Sequence, residues 1–225
     1  MIETNTIQSD FDKLALLNID EWNHNSHYHS YLLEQIPKNC KDALEIGCGP
    51  GSFSRLLAQK ADWVLALDLS PEMIKLAKQR SAQSPNIDYQ IADVMAWDIP
   101  EDSFDCIVSI ATLHHLPFEI VVQMMKSGLK SNGILLILDL YKFQGIRDIL
   151  INLLAIPANF FLKLKNTGRL RDPLEIREAW AEHGKHDTYL PVSKVRRLCD
   201  DLLPGAIIKQ HLLWRYSIVW QKPGE

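Results

Sequence analysis

The stretch Ala43-Leu-Glu-Ile-Gly-Cys-Gly-Pro-Gly-Ser52 decides the fold of this chain. An apolar run leads into three glycines that alternate with other residues, and a helical run at 54–59 follows. Glycines let the backbone adopt positive φ and approach a ligand closely. The free N–H groups at the start of a helix favour a negatively charged group. The pattern therefore predicts a strand, loop and helix that cradle a small ligand.

Two other kinds of glycine loop differ from this one. A phosphate-binding P-loop closes with Lys followed by Ser or Thr, whereas Ser52 and Phe53 stand there in this chain. The dinucleotide fingerprint needs a third glycine at position 52, and that residue is Ser52. The P-loop is excluded, and a nicotinamide-dependent oxidoreductase stays open as an alternative with the same kind of sheet.

Three further apolar runs follow the loop, and each ends at residues that suit a binding site. The run 63–68 ends in Asp68, about 20 residues after the loop, where a ribose-binding carboxylate belongs. Ser70 and Pro71 then provide a helix start. The two later runs lead to the residues Asp93, Val94, Ala111, His114 and His115.

With these motifs in this order, the chain resembles the class I S-adenosylmethionine-dependent methyltransferases of the small-molecule type, which include the quinone-ring methyltransferases. The resemblance is strong over residues 40–140 and loose at both ends. It implies S-adenosyl-L-methionine as cofactor and S-adenosyl-L-homocysteine as product. The cofactor-binding residues that it implies are Glu45, Gly47, Cys48, Gly49, Gly51, Asp68, Leu69, Met73, Asp93, Val94, Ala111 and Tyr28.

The resemblance also implies a role for each group of these residues. The glycine loop would contact the methionine part through its backbone, with Glu45 fixing the loop or reaching the amino group. Asp68 would accept hydrogen bonds from the ribose hydroxyls, and Asp93 from the adenine amine. Tyr28 would belong to a cover over the cofactor, although packing on the sheet is an alternative for it.

Histidines are the candidate catalytic residues. His114 and His115 follow the fourth strand, and a histidine can take a proton from an acceptor near neutral pH. A structural role for the pair stays open, and His183 and His186 are alternative bases. Because no cysteine or second histidine cluster supports His183, His186 and Asp187 as ligands, the sequence predicts no metal site.

The alternation of apolar and helical segments indicates the fold class. It predicts a doubly wound α/β fold, with a mostly parallel, seven-stranded, Rossmann-like sheet covered by helices on both faces. Ligands then bind at the carboxyl ends of the strands. The predicted strands are 43–47, 63–68, 87–92, 104–110, 133–139, 206–212 and 215–221, and the predicted helices of the core are 52–60, 71–82 and 118–130.

The chain reads as a single domain with four parts. These are an N-terminal helical cover at 1–40, a cofactor-binding core at 41–140, a helical acceptor cap at 145–188, and a C-terminal helix and strands at 189–225. Residues 26–37 look helical in the first part. In the cap, 145–165 would form a helix pair or a helix kinked at Pro157, with a second helix at 173–183. The C-terminal helix, 191–203, would be capped by Ser193.

Composition limits the partners. The chain has 225 residues, a net charge of −4 and no run of basic residues, so nucleic acid is not expected as a partner. Four scattered cysteines and an N-terminus without the features of a signal peptide predict a cytoplasmic protein. No apolar stretch reaches the length of a membrane span, and the oligomeric state stays open.

The function most consistent with these motifs and with the resemblance is transfer of a methyl group from S-adenosylmethionine to a small, partly apolar acceptor by in-line displacement. The alternatives are the oxidoreductase and a non-catalytic cofactor-binding or interaction protein. The apolar face of 145–165 would dock a partner in that last case, or would make peripheral contact with a membrane.

Overall fold

A computed structural model describes residues 4–17, 22–185 and 187–224. Two short 3-10 segments, Ser26–Tyr28 and Leu113–His115, accompany the longer elements. The helices are α1 (Thr4–Leu16), α2 (His29–Leu33), α3 (Ser52–Leu57), α4 (Pro71–Arg80), α5 (Phe118–Gly128), α6 (Ile146–Thr167), α7 (Leu174–His183) and α8 (Val192–Leu202). The strands are β1 (Cys40–Ile46), β2 (Ala61–Asp68), β3 (Ile87–Ile91), β4 (Phe104–Ile110), β5 (Leu129–Leu140), β6 (Ile207–Gln210) and β7 (Arg215–Gln221).

The described strands form one sheet in the order β3-β2-β1-β4-β5-β7-β6. Strands β1 to β5 pair in parallel, and β7 runs antiparallel to both of its neighbours. The strand order reverses between β1 and β4, because the chain starts at β1, moves outward to β3 and returns to β4. A crevice opens at the carboxyl ends of β1 and β4 for this reason, and it is where such sheets bind ligands.

Alternate residues of the strands fill two separate cores. On one face, Leu44 and Ile107 pack with Met125 of α5 and Val195 of α8. The opposite face buries the intervening side chains of the same strands against α2, α3 and α4. Both faces of the strands are therefore apolar, which explains their nearly continuous hydrophobic sequence. The predicted doubly wound, mostly parallel sheet is confirmed.

Several predicted boundaries need correction. Residues 145–165 form one helix that continues through Pro157 as α6, so the alternative of a helix pair is wrong. Helix α8 begins at Val192 after Pro191, which places Ser193 within the helix, where it does not cap it. The segment 26–37 contains only one 3-10 turn and the five residues of α2, because Tyr28 leaves helical geometry between them.

Helix α6 carries a row of exposed apolar side chains. They are Ile149, Leu153, Leu154, Ile156, Phe160, Phe161 and Leu164, each at least 45% exposed. Within the described ranges, no helix combines the length and the apolar character needed to cross a membrane. Peripheral membrane contact through this segment stays a prediction, and the exposed row is the feature on which it rests.

Gly51 joins the loop to α3 in a conformation that suits glycine. Its φ is +73°, and a Cβ built there would lie 2.4 Å from the hydroxyl oxygen of Tyr89. That hydroxyl is 2.9 Å from Ser81 Oγ in the core, so it has little freedom to move. Gly49 also has positive φ, +52°, but among the described residues no heavy atom lies within 4 Å of its built Cβ.

We expect Gly51→Ala to lower the free energy of unfolding by about 2 kcal/mol, because it adds a clash to the cost of left-handed backbone. Gly49→Ala is the matched control, and only the backbone cost of about 1 kcal/mol applies to it. Urea denaturation of both variants measures the difference. Equal losses of stability would contradict the role of Tyr89 in excluding a side chain at position 51.

Candidate functional site

A cavity of about 1020 Å³ opens at the carboxyl ends of β1, β2 and β4. Its volume lies at the upper end of the range of small-molecule sites. The glycine loop forms its floor, and residues of α1 and α7 close it from above. The first and third of the predicted parts therefore contribute to one cavity with the core. From α6, however, only Lys163 lines the cavity among the described residues, so the covering element is α7 rather than α6.

Backbone hydrogen bonds attach the glycine loop to β2. The N–H groups of Gly47 and Cys48 both donate to the carbonyl of Leu67, at 2.8 and 2.9 Å. The Gly49 N–H donates to Asp68 Oδ2 at 2.7 Å. Gly47, Cys48 and Gly49 all line the cavity, and their contact with the cofactor stays a prediction. The Cys48 side chain is buried, so this residue offers mainly backbone.

Asp68 ends β2 with its carboxylate at the cavity. Besides the bond from Gly49, its Oδ1 accepts from the N–H of Ser70 at 2.9 Å. Burial raises the pKa of Asp68 to about 6, and the two N–H donors oppose that rise. Asp68 is therefore ionised at neutral pH, and each oxygen keeps a lone pair for a further donor.

Glu45 lies behind the loop at the end of β1. Its side chain accepts a hydrogen bond from Ser54 Oγ at 2.5 Å, and the residue is only 2% exposed. Burial raises the pKa of Glu45 to about 8, while the Ser54 hydroxyl opposes the rise and Asp68 adds to it. In the ligand-free protein this carboxyl is thus mostly protonated at neutral pH. A cation that entered the cavity beside it would favour its ionised form.

The other predicted cofactor residues lie on one side of the same cavity. Leu69 and Met73 follow β2, whereas Asp93 and Val94 follow β3. Asp93 Oδ1 accepts from the Met95 N–H at 2.9 Å, which holds the carboxylate in place. Ala111, after β4, also lines the cavity and has a φ of +51°.

Two predicted residues lie elsewhere. Gly51 is the N-cap of α3 and is not among the described residues that line the cavity. Tyr28 is buried in the core, with its ring 4.8 Å from that of His211 and its hydroxyl donating to the Leu212 carbonyl. Because this hydrogen bond turns Tyr28 away, the expectation that it covers the cofactor is corrected. The neighbouring Trp22 and His24 line the cavity instead.

His114 is held by a buried carboxylate. Its Nδ1 lies 2.6 Å from Oδ1 of Asp139, which is the last residue but one of β5 and is 1% exposed. Burial lowers the pKa of His114, but the charge and the hydrogen bond of Asp139 outweigh it, so the pKa is raised overall. The bond to Nδ1 leaves Nε2 free for another partner.

His115 has the opposite character. Its ring lies against that of His114, with centroids 3.9 Å apart, and Phe11 of α1 contacts it edge-on. Burial, together with the neighbouring His114, lowers the pKa of His115 to about 3. The ring is therefore neutral throughout the physiological range. His183 of α7 lies on its other side, with Nδ1 3.2 Å from Asp10 Oδ2.

Sequence reasoning missed Asp139, Tyr189 and Arg215 at this end, and it named Asp187 only as a possible metal ligand beside His183 and His186. Asp139, Asp187, Tyr189 and Arg215 surround the histidines, although only the last three line the cavity itself. Arg215 comes from β7, is 7% exposed and donates from Nε to Asn25 Oδ1 at 2.5 Å. Burial lowers its pKa to about 10, so it keeps its charge. Its place beside β5 follows from the antiparallel pairing, which no local motif signals. His186 lies outside the described residues.

The sequence and the fold of this chain are similar to those of known methyltransferases. Residues 44–137 match a methyltransferase domain family. An uncharacterised methyltransferase of Mycobacterium tuberculosis is 28% identical over 205 residues, which cover 90% of this chain and 98% of that protein. A ubiquinone biosynthesis O-methyltransferase of Xylella fastidiosa is 28% identical, covering 81% and 79%. The solved structure of DhpI with SAH superposes with a TM-score of 0.66 at 19% identity, covering 98% and 97% of the two chains.

The buried Glu45 predicts a specific pH dependence of stability. The pKa of Glu45 is raised on folding, so between about pH 4.5 and 8 the folded protein holds a proton that the unfolded chain has already released. The stabilisation is complete below that interval and is lost as the pH rises through it. The free energy of unfolding should fall by up to about 1.4 kcal/mol per pH unit from this group alone.

The variant Glu45→Gln keeps the shape of the side chain and cannot titrate. Its stability should therefore fall less steeply than that of the unsubstituted protein from pH 5 to 8. Chemical denaturation at several pH values in the absence of ligand measures both curves. Parallel curves would mean that Glu45 is ionised in the folded protein.

Proposed function

Since the chain is a class I S-adenosylmethionine-dependent methyltransferase, we propose that it methylates a small, partly apolar acceptor carrying an ionisable hydroxyl. The observation that supports this acceptor is the division of one cavity into two chemically different ends. One end has the glycine loop with Asp68. The other has His114 and Arg215 beneath an apolar cover.

The residues at the first end fit the cofactor. Backbone at Gly49 borders open space, so the cofactor can approach it without meeting a side chain. Asp68 has free lone pairs for ribose hydroxyls, and Glu45 has a carboxyl for the amino group. When bound, S-adenosylmethionine supplies a methyl carbon that its sulfonium has already activated. The chain therefore needs to orient the two reactants and exclude water.

The cover over the second end is largely apolar. Its apolar members are Ile7 and Phe11 of α1, Leu174, Ile176 and Trp180 of α7, and Trp22. Such walls favour an acceptor with an aromatic or aliphatic body over a fully polar one. Helix α7 lies in the segment that we expect to select the acceptor, so this part of the cap carries the substrate choice.

The histidine cluster is where the acceptor proton would go. A hydroxyl attacks a methyl carbon well only when it loses its proton on or before attack. Asp139 holds Nδ1 of His114, and this orients the opposite nitrogen for contact with the acceptor. Arg215 adds a buried positive charge that favours the ionised acceptor.

The alternatives have less support. The residue where a dinucleotide site needs its third glycine is Ser52, which already begins α3. A non-catalytic binding protein would have no use for the Asp139–His114 pair aimed at the second end. The cytoplasm remains our expected compartment, in keeping with the four cysteines, all free and buried.

We expect Asp68→Asn to weaken binding of S-adenosyl-L-homocysteine at least tenfold, about 1.4 kcal/mol. The substitution removes the charge and one acceptor oxygen at the ribose position, while it keeps the size of the side chain. Isothermal titration calorimetry measures the change. Asp88→Asn on β3, which is outside the cavity lining, is the control and should bind like the unsubstituted protein. Unchanged affinity in Asp68→Asn would refute the ribose contact.

We expect His114→Ala to lower turnover at least a hundredfold while the affinity for S-adenosyl-L-homocysteine stays within a few-fold. The reason is that His114 serves the acceptor and not the cofactor. The assay measures S-adenosyl-L-homocysteine formed with a panel of phenols and catechols. His27→Ala, which changes a histidine outside the cavity, is the control. Full turnover in His114→Ala with an accepted substrate would exclude His114 from the reaction.

A further inference from the structure

We propose that His114, His115 and Asp187 bind one divalent transition-metal ion, of the Zn²⁺ class, at the acceptor end of the cavity. One ligand atom from each residue lies within 4.8 Å of the other two. All three residues line the cavity, so an ion there would be within reach of the acceptor. The binding claim depends only on this cluster, whereas its role in methylation rests on the proposed function.

The strongest observation is a set of buried side-chain atoms of His115 and Asp187 that have no hydrogen-bond partner. The side chains of His115 and Asp187 are 4% and 5% exposed. Within the described part of the chain, both ring nitrogens of His115 lack a hydrogen-bond partner. Oδ1 of Asp187 lacks one as well. Buried polar atoms nearly always have partners, so a further group is expected between these two side chains.

The spacing of the pair suits a metal better than a direct bond. His115 Nδ1 and Asp187 Oδ1 are 3.5 Å apart, which is long for a hydrogen bond between these groups. Two ligand atoms that each lie about 2.0–2.1 Å from a tetrahedral zinc ion are about 3.3–3.4 Å from each other. Small side-chain adjustments would therefore seat an ion without rearrangement of the backbone.

The surrounding hydrogen bonds orient the ligands as they do in metal sites. Asp139 holds Nδ1 of His114, which leaves Nε2 as the ligand atom. Tyr189 donates its hydroxyl to Oδ2 of Asp187, which leaves Oδ1 for the ion. The neutral ring of His115 has a lone pair available. Imidazole and carboxylate ligands of this kind suit zinc and similar ions.

Three protein ligands would leave a fourth position for the acceptor, as in catalytic zinc sites. In that position an acceptor hydroxyl would lose its proton more readily, since a bound cation lowers the pKa of such a group. With the ion bound, Nε2 of His114 would be a ligand, so the ion would replace His114 as the group that activates the acceptor, and the proton would pass to solvent water. The acceptor oxygen then forms a bond to the methyl carbon as the bond from that carbon to sulfur breaks. This proposal replaces the sequence-based expectation that the chain has no metal site.

The test uses tag-free, chelator-treated protein titrated with Co²⁺, followed by its visible absorption, and with Zn²⁺, followed by calorimetry. We expect one ion per chain. His115→Gln and Asp187→Asn should each weaken binding at least tenfold, and His27→Ala should leave it unchanged. S-adenosyl-L-homocysteine binding by each variant verifies that the fold is retained, because neither substitution is at the glycine loop.

The proposal would be overturned by the absence of a stoichiometric ion, or by affinities that the two substitutions leave unchanged. Its failure differs from failure of the proposed function. If the ion binds and S-adenosyl-L-homocysteine does not, the metal site stands and the methyltransferase assignment of the cavity falls. If only S-adenosyl-L-homocysteine binds, the metal proposal is wrong and His114 acts without an ion.

Discussion

The attachment of the glycine loop to the end of β2 is the interaction on which the rest of the site depends. The Leu67 carbonyl accepts hydrogen bonds from two N–H groups of the loop, and the Asp68 carboxylate accepts one from the Gly49 N–H. These bonds place the backbone of the loop and the Asp68 carboxylate at one wall of the cavity. Parallel pairing of β1 with β2 makes this arrangement available, because both strands end at the same edge of the sheet.

Buried ionisable groups lie at both ends of the cavity. Glu45 and Asp68 at the first end have raised pKa values, since burial disfavours their ionised forms. At the second end burial lowers the pKa of His115, whereas the pKa of His114 is raised because His114, unlike His115, is hydrogen-bonded to a buried carboxylate. Adjacent residues thus acquire different chemistry from their surroundings. This contrast supports the proposed site, which would bind the cofactor at one end and activate the acceptor at the other.

Much of the first end could be predicted from the sequence. Gly47, Gly49, Asp68 and Asp93 lie at the ends of strands whose apolar runs are local signals, and all four line the cavity. Gly51 and Tyr28 were the exceptions, and for Tyr28 the sequence does not show which neighbour accepts the hydrogen bond of its hydroxyl. The second end was only partly predictable. Its histidines follow β4 directly, but Asp139 and Arg215 join them through the pairing of β4 with β5 and β5 with β7.

The sequence by itself therefore determined the doubly wound sheet, the glycine loop and the acids that follow the strands. It could do so because periodicity, glycine spacing and strand ends are properties of short segments. Only the tertiary structure decided which helix covers the cavity, and that His115 meets Asp187 without a hydrogen bond. Those features depend on contacts between segments far apart in the chain. The packing of α7 and the antiparallel insertion of β7 create such contacts, and no local pattern encodes their distances.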